Sequence, residues 1–144
     1  LISCVQLAKR NGRDEIKRVG DFKEFKKYLR THNNVLVVFS KSEKAVTDWK
    51  LLADVALEMR GQATILFIDC GDDKKLCKKL KISPSNVELK HYHEGEFNKN
   101  YDRKNTVKSM VNFLRDPKGD IPWEEELTAQ DVIHLENKQV IKDI

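Results

Sequence analysis

The apolar positions of this chain change period several times, and each change marks an element. Ile16 and Val19 lie in a short strand candidate over residues 15–19. Asp21 then stands three residues before Glu24, the capping-box spacing in which each side chain satisfies a free amide of a first helical turn. Behind that cap Phe22, Phe25, Tyr28 and Leu29 share one face, so a helix runs to about His32-Asn33-Asn34. Val35 to Phe39 is a continuous β-branched and aromatic run, the pattern of a strand covered on both faces and hence of a sheet centre. Val46, Trp49, Leu52, Ala53, Ala56 and Leu57 trace a second helix that ends near Gly61. Residues 63–69 contain the apolar run Ile65 to Ile68 and read as another buried strand, and Leu76, Cys77 and Leu80 give a short third helix. Past Pro84, residues 87–93 alternate as a strand, Glu94-Gly95 turns the chain, and residues 96–100 return antiparallel. Val107, Met110, Val111 and Leu114 fit the i, i+3, i+4, i+7 template, so a last helix reaches Asp116-Pro117. The predicted order over residues 15–115 is βαβαβαββα, an α/β class.

Both ends differ from this body. Pro117, Gly119 and Pro122 precede Glu124-Glu125-Glu126, which makes residues 116–130 an acidic linker. Val132, Leu135, Asn137, Ile141 and Ile144 then echo Ile16, Val19, Asp21, Phe25 and Tyr28, so residues 131–144 are read as the start of a second domain of the same kind. At the other end, residues 1–8 are largely apolar, finish on Ala8 and precede Lys9-Arg10, as the remnant of a secretory signal peptide does. Removing it removes Cys4 and leaves Cys70 and Cys77. An even pair in a secreted context favours a structural disulfide. The six residues between them do not fit the short C-x-x-C spacing of a redox or metal pair.

Composition sharpens the picture only through charge. Of 144 residues, 35% are charged and 40% hydrophobic, with a net charge of +4. The positive excess lies in residues 1–115, whereas residues 116–144 carry 8 acidic and 3 basic groups. No apolar run approaches the about 18 residues of a membrane-spanning helix, so no membrane contact is expected. Lys74, Lys75, Lys78, Lys79 and Lys81 cluster around the third helix. Singly each reads as a solvated charge; as a group they suit an acidic partner. Nucleic acid is a poorer match, because the aromatics occupy core positions and leave no exposed stacking platform. His91 and His93, two apart on a strand, point to one face, but two histidines alone make a weak metal site and packing is the better reading. No cofactor is expected.

The order βαβαβαββα resembles the thioredoxin-like fold, a mixed central β-sheet with helices on both faces. Phe67-Ile68-Asp69-Cys70 and Leu89-Lys90-His91-Tyr92-His93-Glu94-Gly95 resemble strings of the protein disulfide isomerase family, and Val35 to Phe39 resembles the strand that leads into its redox motif. Residues 29–37, 40–43, 76–79 and 116–119 are similar to the non-catalytic first domain of a member whose catalytic domains follow. Two departures stand out: a shorter segment from Cys70 to Cys77 and a shorter loop from Ser83 to Asn86. In register with the family, the two redox cysteine positions hold Lys44 and Thr47, and the cis-proline position holds Val87. Thiol exchange needs a thiolate, so the resemblance implies a non-catalytic domain of a lumenal endoplasmic-reticulum isomerase. It further implies recruitment of folding factors such as the chaperone calreticulin. A weakly active oxidoreductase using Cys70 and Cys77, and a binder of unfolded client peptides, are the alternatives.

Overall fold

A computed structural model describes residues 12–119. The signal-peptide reading of residues 1–8 with Cys4, the linker from Asp120 onward and the second-domain start at 131–144 lie outside the described residues.

The elements are β1 (Ile16–Arg18), α1 (Phe22–Thr31), β2 (Asn34–Ser40), α2 (Trp49–Glu58), β3 (Thr64–Asp69), α3 (Lys74–Leu80), β4 (Val87–His93), β5 (Glu96–Asn100) and α4 (Val107–Arg115). The sheet order is β1-β3-β2-β4-β5. β1 and β2 run parallel to β3, while β4 is antiparallel to β2 and β5 to β4. This is the mixed sheet and the element order read from the sequence.

Because successive side chains of a strand point to opposite faces, the unbroken apolar run of β2 serves two cores. Leu36 and Val38 join Val55 of α2, the C-cap residue Met59, and Met110 and Phe113 of α4 in one cluster. Val35, Val37 and Phe39 join Phe25 and Leu29 of α1 and Leu76 and Cys77 of α3 in the other. Residues Val35 to Phe39 have no exposed surface at all, which is what a central strand with helices on both faces requires.

Local chemistry caps the helix starts, while α2 stops at Glu58 with Met59 as its C-cap, short of Gly61. The Glu24 amide donates to Asp21 Oδ1 at 2.7 Å, which makes the cap, and the Glu24 carboxylate reaches back one residue beyond the box pattern, accepting from the Gly20 amide at 3.3 Å. Thr106 caps α4 by accepting from the Ser109 amide at 3.1 Å. Glu94 and Gly95 both adopt positive φ, 51° and 86°, so the hairpin turns with the hand that matches strand twist.

One boundary differs. The apolar spacing starts the second helix at Val46, whereas α2 begins at Trp49 and Glu43–Ala45 forms a separate 3-10 turn. Ser42 is the cause: its hydroxyl accepts from the Ala45 amide, capping the short turn and diverting the chain before the helix restarts. Val46 is buried all the same, which is why its period looked helical.

Candidate functional site

β2 and β3 end side by side, with Ser40 opposite Asp69. This edge of the sheet gathers most of the positions singled out in the sequence. Asp69 organises it. Although almost fully buried, its carboxylate accepts from the amides of Gly71 (2.8 Å), Asp72 (3.1 Å) and Glu43 (3.1 Å). Gly71 is required there, because a Cβ would lie 2.4 Å from the Lys41 carbonyl oxygen. Arg18, projecting from β1, draws together Glu43, Asp72 and Asp73 at 3.2, 3.1 and 3.7 Å. Burial raises the Asp73 pKa, and the Arg18 guanidinium opposes that rise.

Lys44 sits exposed within the 3-10 turn and Thr47 exposed in the irregular segment before α2, so neither lies in an α-helix. Val87, half-buried, opens β4. Every peptide bond among the described residues is trans. Between these positions lies a cleft of about 240 Å³ lined by Ala45, Val46, Thr47, Leu52, Val87 and Met110, among others. It contains no thiol.

Cys70 and Cys77 form a disulfide that ties the end of β3 to α3. Beside it opens a second groove, of about 490 Å³, lined by Lys41, Lys74, Lys78 and Lys81 together with both cysteines. Lys75 and Lys79 are exposed on the same helix. Lys79 Nζ lies 4.2 Å from the centre of the Phe22 ring on α1, and Lys26 Nζ lies 5.8 Å from it. The basic surface is therefore wider than α3: with exposed Lys23, Lys27 and Arg30 it continues along α1. Lys41, Phe22 and Lys26 were missed in the sequence. No helical period connects Lys41 to α3; only the parallel pairing of β2 with β3 brings it beside Cys70.

Of the two histidines, His91 packs into the core and His93 is partly buried. His91 is wholly buried; its Nε2 lies 2.7 Å from Asn34 Oδ1 and its Nδ1 3.2 Å from Asn98 Nδ2. Its ring meets Phe113 edge-on at 5.1 Å, and His93 stacks beside it at 6.3 Å. Burial, helped by the neighbouring His93 and Lys99, lowers the His91 pKa to about 4. No cluster of three metal-ligating side chains occurs among the described residues.

Known proteins place this arrangement. Over 131 residues the chain is 50% identical to protein disulfide-isomerase A5 of Bos taurus and 49% identical to that of Mus musculus. The chain belongs to the protein disulfide isomerase family. The match covers 86% of this chain but only 25% of either relative, so it spans about a quarter of their length. No family model matches. Among solved structures, the J-Trx1 fragment of ERdj5 superposes with a TM-score of 0.61 at 20% identity, over 73% of this chain and 52% of that one. Zinc-bound human ERp44 gives 0.58 at 22% identity over 74% of this chain and 32% of its own. A thioredoxin mutant from Halobacterium salinarum gives 0.58 at 16% identity over 76% of this chain and 96% of its own. These three share the fold, thioredoxin-like.

Proposed function

We propose that this thioredoxin-like domain is a non-catalytic recruiting module of a lumenal endoplasmic-reticulum disulfide isomerase, and that its basic face docks acidic folding factors such as calreticulin. The observation that carries the reading is the convergence of lysines from two helices and a strand end around Phe22 and the groove beside Cys70. Long-range attraction accelerates encounter with an acidic partner, and the half-buried Phe22 ring supplies an apolar contact at the centre. Lysine and threonine at Lys44 and Thr47 offer no thiolate in the positions where the family's redox pair would stand, which supports the non-catalytic half.

The test is a titration of the chain with calreticulin. Charge reversal at Lys78 and Lys79 should weaken binding, chiefly through slower association, with little change in melting temperature, because exposed charges contribute little to stability. An equal reversal at Lys50 and Lys108, exposed on the helices across the sheet, serves as control. Equal loss at both pairs would reduce the effect to net charge. No loss at either would reject the basic face and favour the apolar cleft between Val46, Leu52 and Val87 as a site for unfolded peptides.

A second reading has its own observation: the bridged residues Cys70 and Cys77 are both among those that line a groove. If the domain were an oxidoreductase through that pair, it would reduce insulin, and turnover would vanish in Cys70→Ser.

A further inference from the structure

We infer that the Cys70–Cys77 bridge is a redox gate on the lysine groove, opened by small thiols that carry carboxylates. The two cysteine residues differ in exposure. Cys70 is half-buried at the groove, whereas Cys77 is 3% exposed and packs with Val37, Phe39 and Leu76. Cys70 also rests against that cluster but is the more exposed of the two, so attack from solvent is assigned to Cys70 Sγ. The charges around it are lopsided. Lys41, Lys74, Lys78 and Lys81 line the groove, while the acidic residues of the adjoining loop are drawn away: Asp72 and Asp73 to Arg18, and Asp69 into bonds from three backbone amides. A small thiol bearing carboxylates is concentrated there, and its attacking thiolate is stabilised on approach. A cationic thiol is repelled.

The exchange balances with thiols alone. An incoming thiolate attacks Cys70 Sγ, a new S–S bond forms, the Cys70–Cys77 bond breaks, and the electron pair leaves on Cys77 Sγ, which takes a proton from water. A second thiolate attacks the sulfur of the bound small thiol and releases Cys70 as a thiolate. Two small thiols are thereby oxidised to one disulfide, and the bridge is reduced to two thiols. In the intermediate, the carboxylates of the attached group lie among the lysines that would otherwise meet an acidic partner. That regulatory consequence rests on the docking function proposed above; the exchange chemistry does not.

The experiment uses the 144-residue chain with Cys4→Ser, so that one cysteine pair remains. Bridge opening is followed by alkylation and mass spectrometry with glutathione, which carries two carboxylates, with neutral 2-mercaptoethanol and with cationic cysteamine. Rate constants per thiolate should fall in that order, with glutathione about tenfold faster than cysteamine at low salt. The ratio should fall to about twofold or less in 1 M salt and in Lys74→Gln/Lys78→Gln. An order indifferent to charge, a ratio unmoved by the lysine variant, or a bridge that stays closed to all three thiols without denaturant would overturn the exchange site. For the gate, Cys77→Ala holds the glutathione adduct on Cys70. Its affinity for poly-glutamate should be at least about fivefold weaker than that of the same variant capped with iodoacetamide. Equal affinity overturns the gate. If neither form binds, the docking function fails and the gate with it, while the thiol rates still decide the exchange site.

Discussion

His91 gives this domain an acid-sensitive core. The ring is fully buried between Asn34 of β2, Asn98 of β5 and Phe113 of α4. It is neutral in the fold, since burial first, then His93 and Lys99, hold its pKa near 4, against 6.5 in an unfolded chain. Between those values the unfolded chain binds a proton that the folded chain refuses, so unfolding is favoured as pH drops. The contribution is fully present above pH 6.5 and lost as pH falls toward 4. At 1.36 kcal/mol per pKa unit the loss is roughly 3 kcal/mol, a large share of the about 5–15 kcal/mol that holds a domain together. Urea unfolding of the whole chain at pH 7.5, 6, 5 and 4, at fixed ionic strength, measures it. His91→Gln keeps a hydrogen-bonding side chain but cannot titrate. At pH 7.5 it should cost about 1–3 kcal/mol through lost packing against Phe113 and an imperfect amide fit. That cost should shrink by roughly 3 kcal/mol by pH 4, so that the variant equals or exceeds wild type there. In the wild type the His91 ring proton resonance should show no titration above pH 5. A difference between the two proteins that stays constant from pH 7.5 to 4, or an NMR midpoint near 6.5, would refute the buried-neutral account.

Asp69→Ala leaves three backbone amides without their acceptor and removes the carboxylate facing Arg18; a loss of about 2–4 kcal/mol is expected in urea unfolding at pH 7. Replacing Cys70 and Cys77 together by serine reopens a loop of 8 residues, which the chain-entropy account values at about 2.5 kcal/mol, and a lower melting temperature than the oxidised chain should register it.

The order of elements was legible because each apolar run obeys one period for its whole length. Leu36 and Val38 face one helix pair, Val35, Val37 and Phe39 the other, and such a five-residue run fits no amphipathic helix. The caps were equally local: Asp21 with Glu24 acts within one turn. The start of α2 was misplaced because Val46 is buried from the irregular segment before α2, not from a helix, and burial is all that an apolar residue signals. His91 was legible only in outline. Its position on a strand face follows from spacing, but the ring's partners Asn34 and Asn98 come from two other strands, and pairing across a sheet leaves no mark on the local sequence.

The basic face shows the same division between local and non-local information. Lys74, Lys75, Lys78 and Lys79 are neighbours in the chain and read at once as one charged helix. Lys26, Phe22 and Lys41 belong to the same surface for a different reason. α1 and α3 cover one face of the sheet because Phe25, Leu29, Leu76 and Cys77 all seek the side occupied by Val37 and Phe39. Packing of apolar positions thus decides which cations become neighbours. The parallel pairing of β2 with β3, six residue pairs long, brings the strand end carrying Lys41 to the strand end carrying Cys70. The 3-10 turn with Lys44 leaves this same end of the sheet, which is where parallel strands commonly present their binding loops. Lys44 and Thr47 stand at the positions that the family resemblance gives to the redox pair, and a few residues away the chain builds a cationic groove on the same scaffold. The disulfide residues Cys70 and Cys77 lie among its lysines, so charge and a covalent bond share one groove.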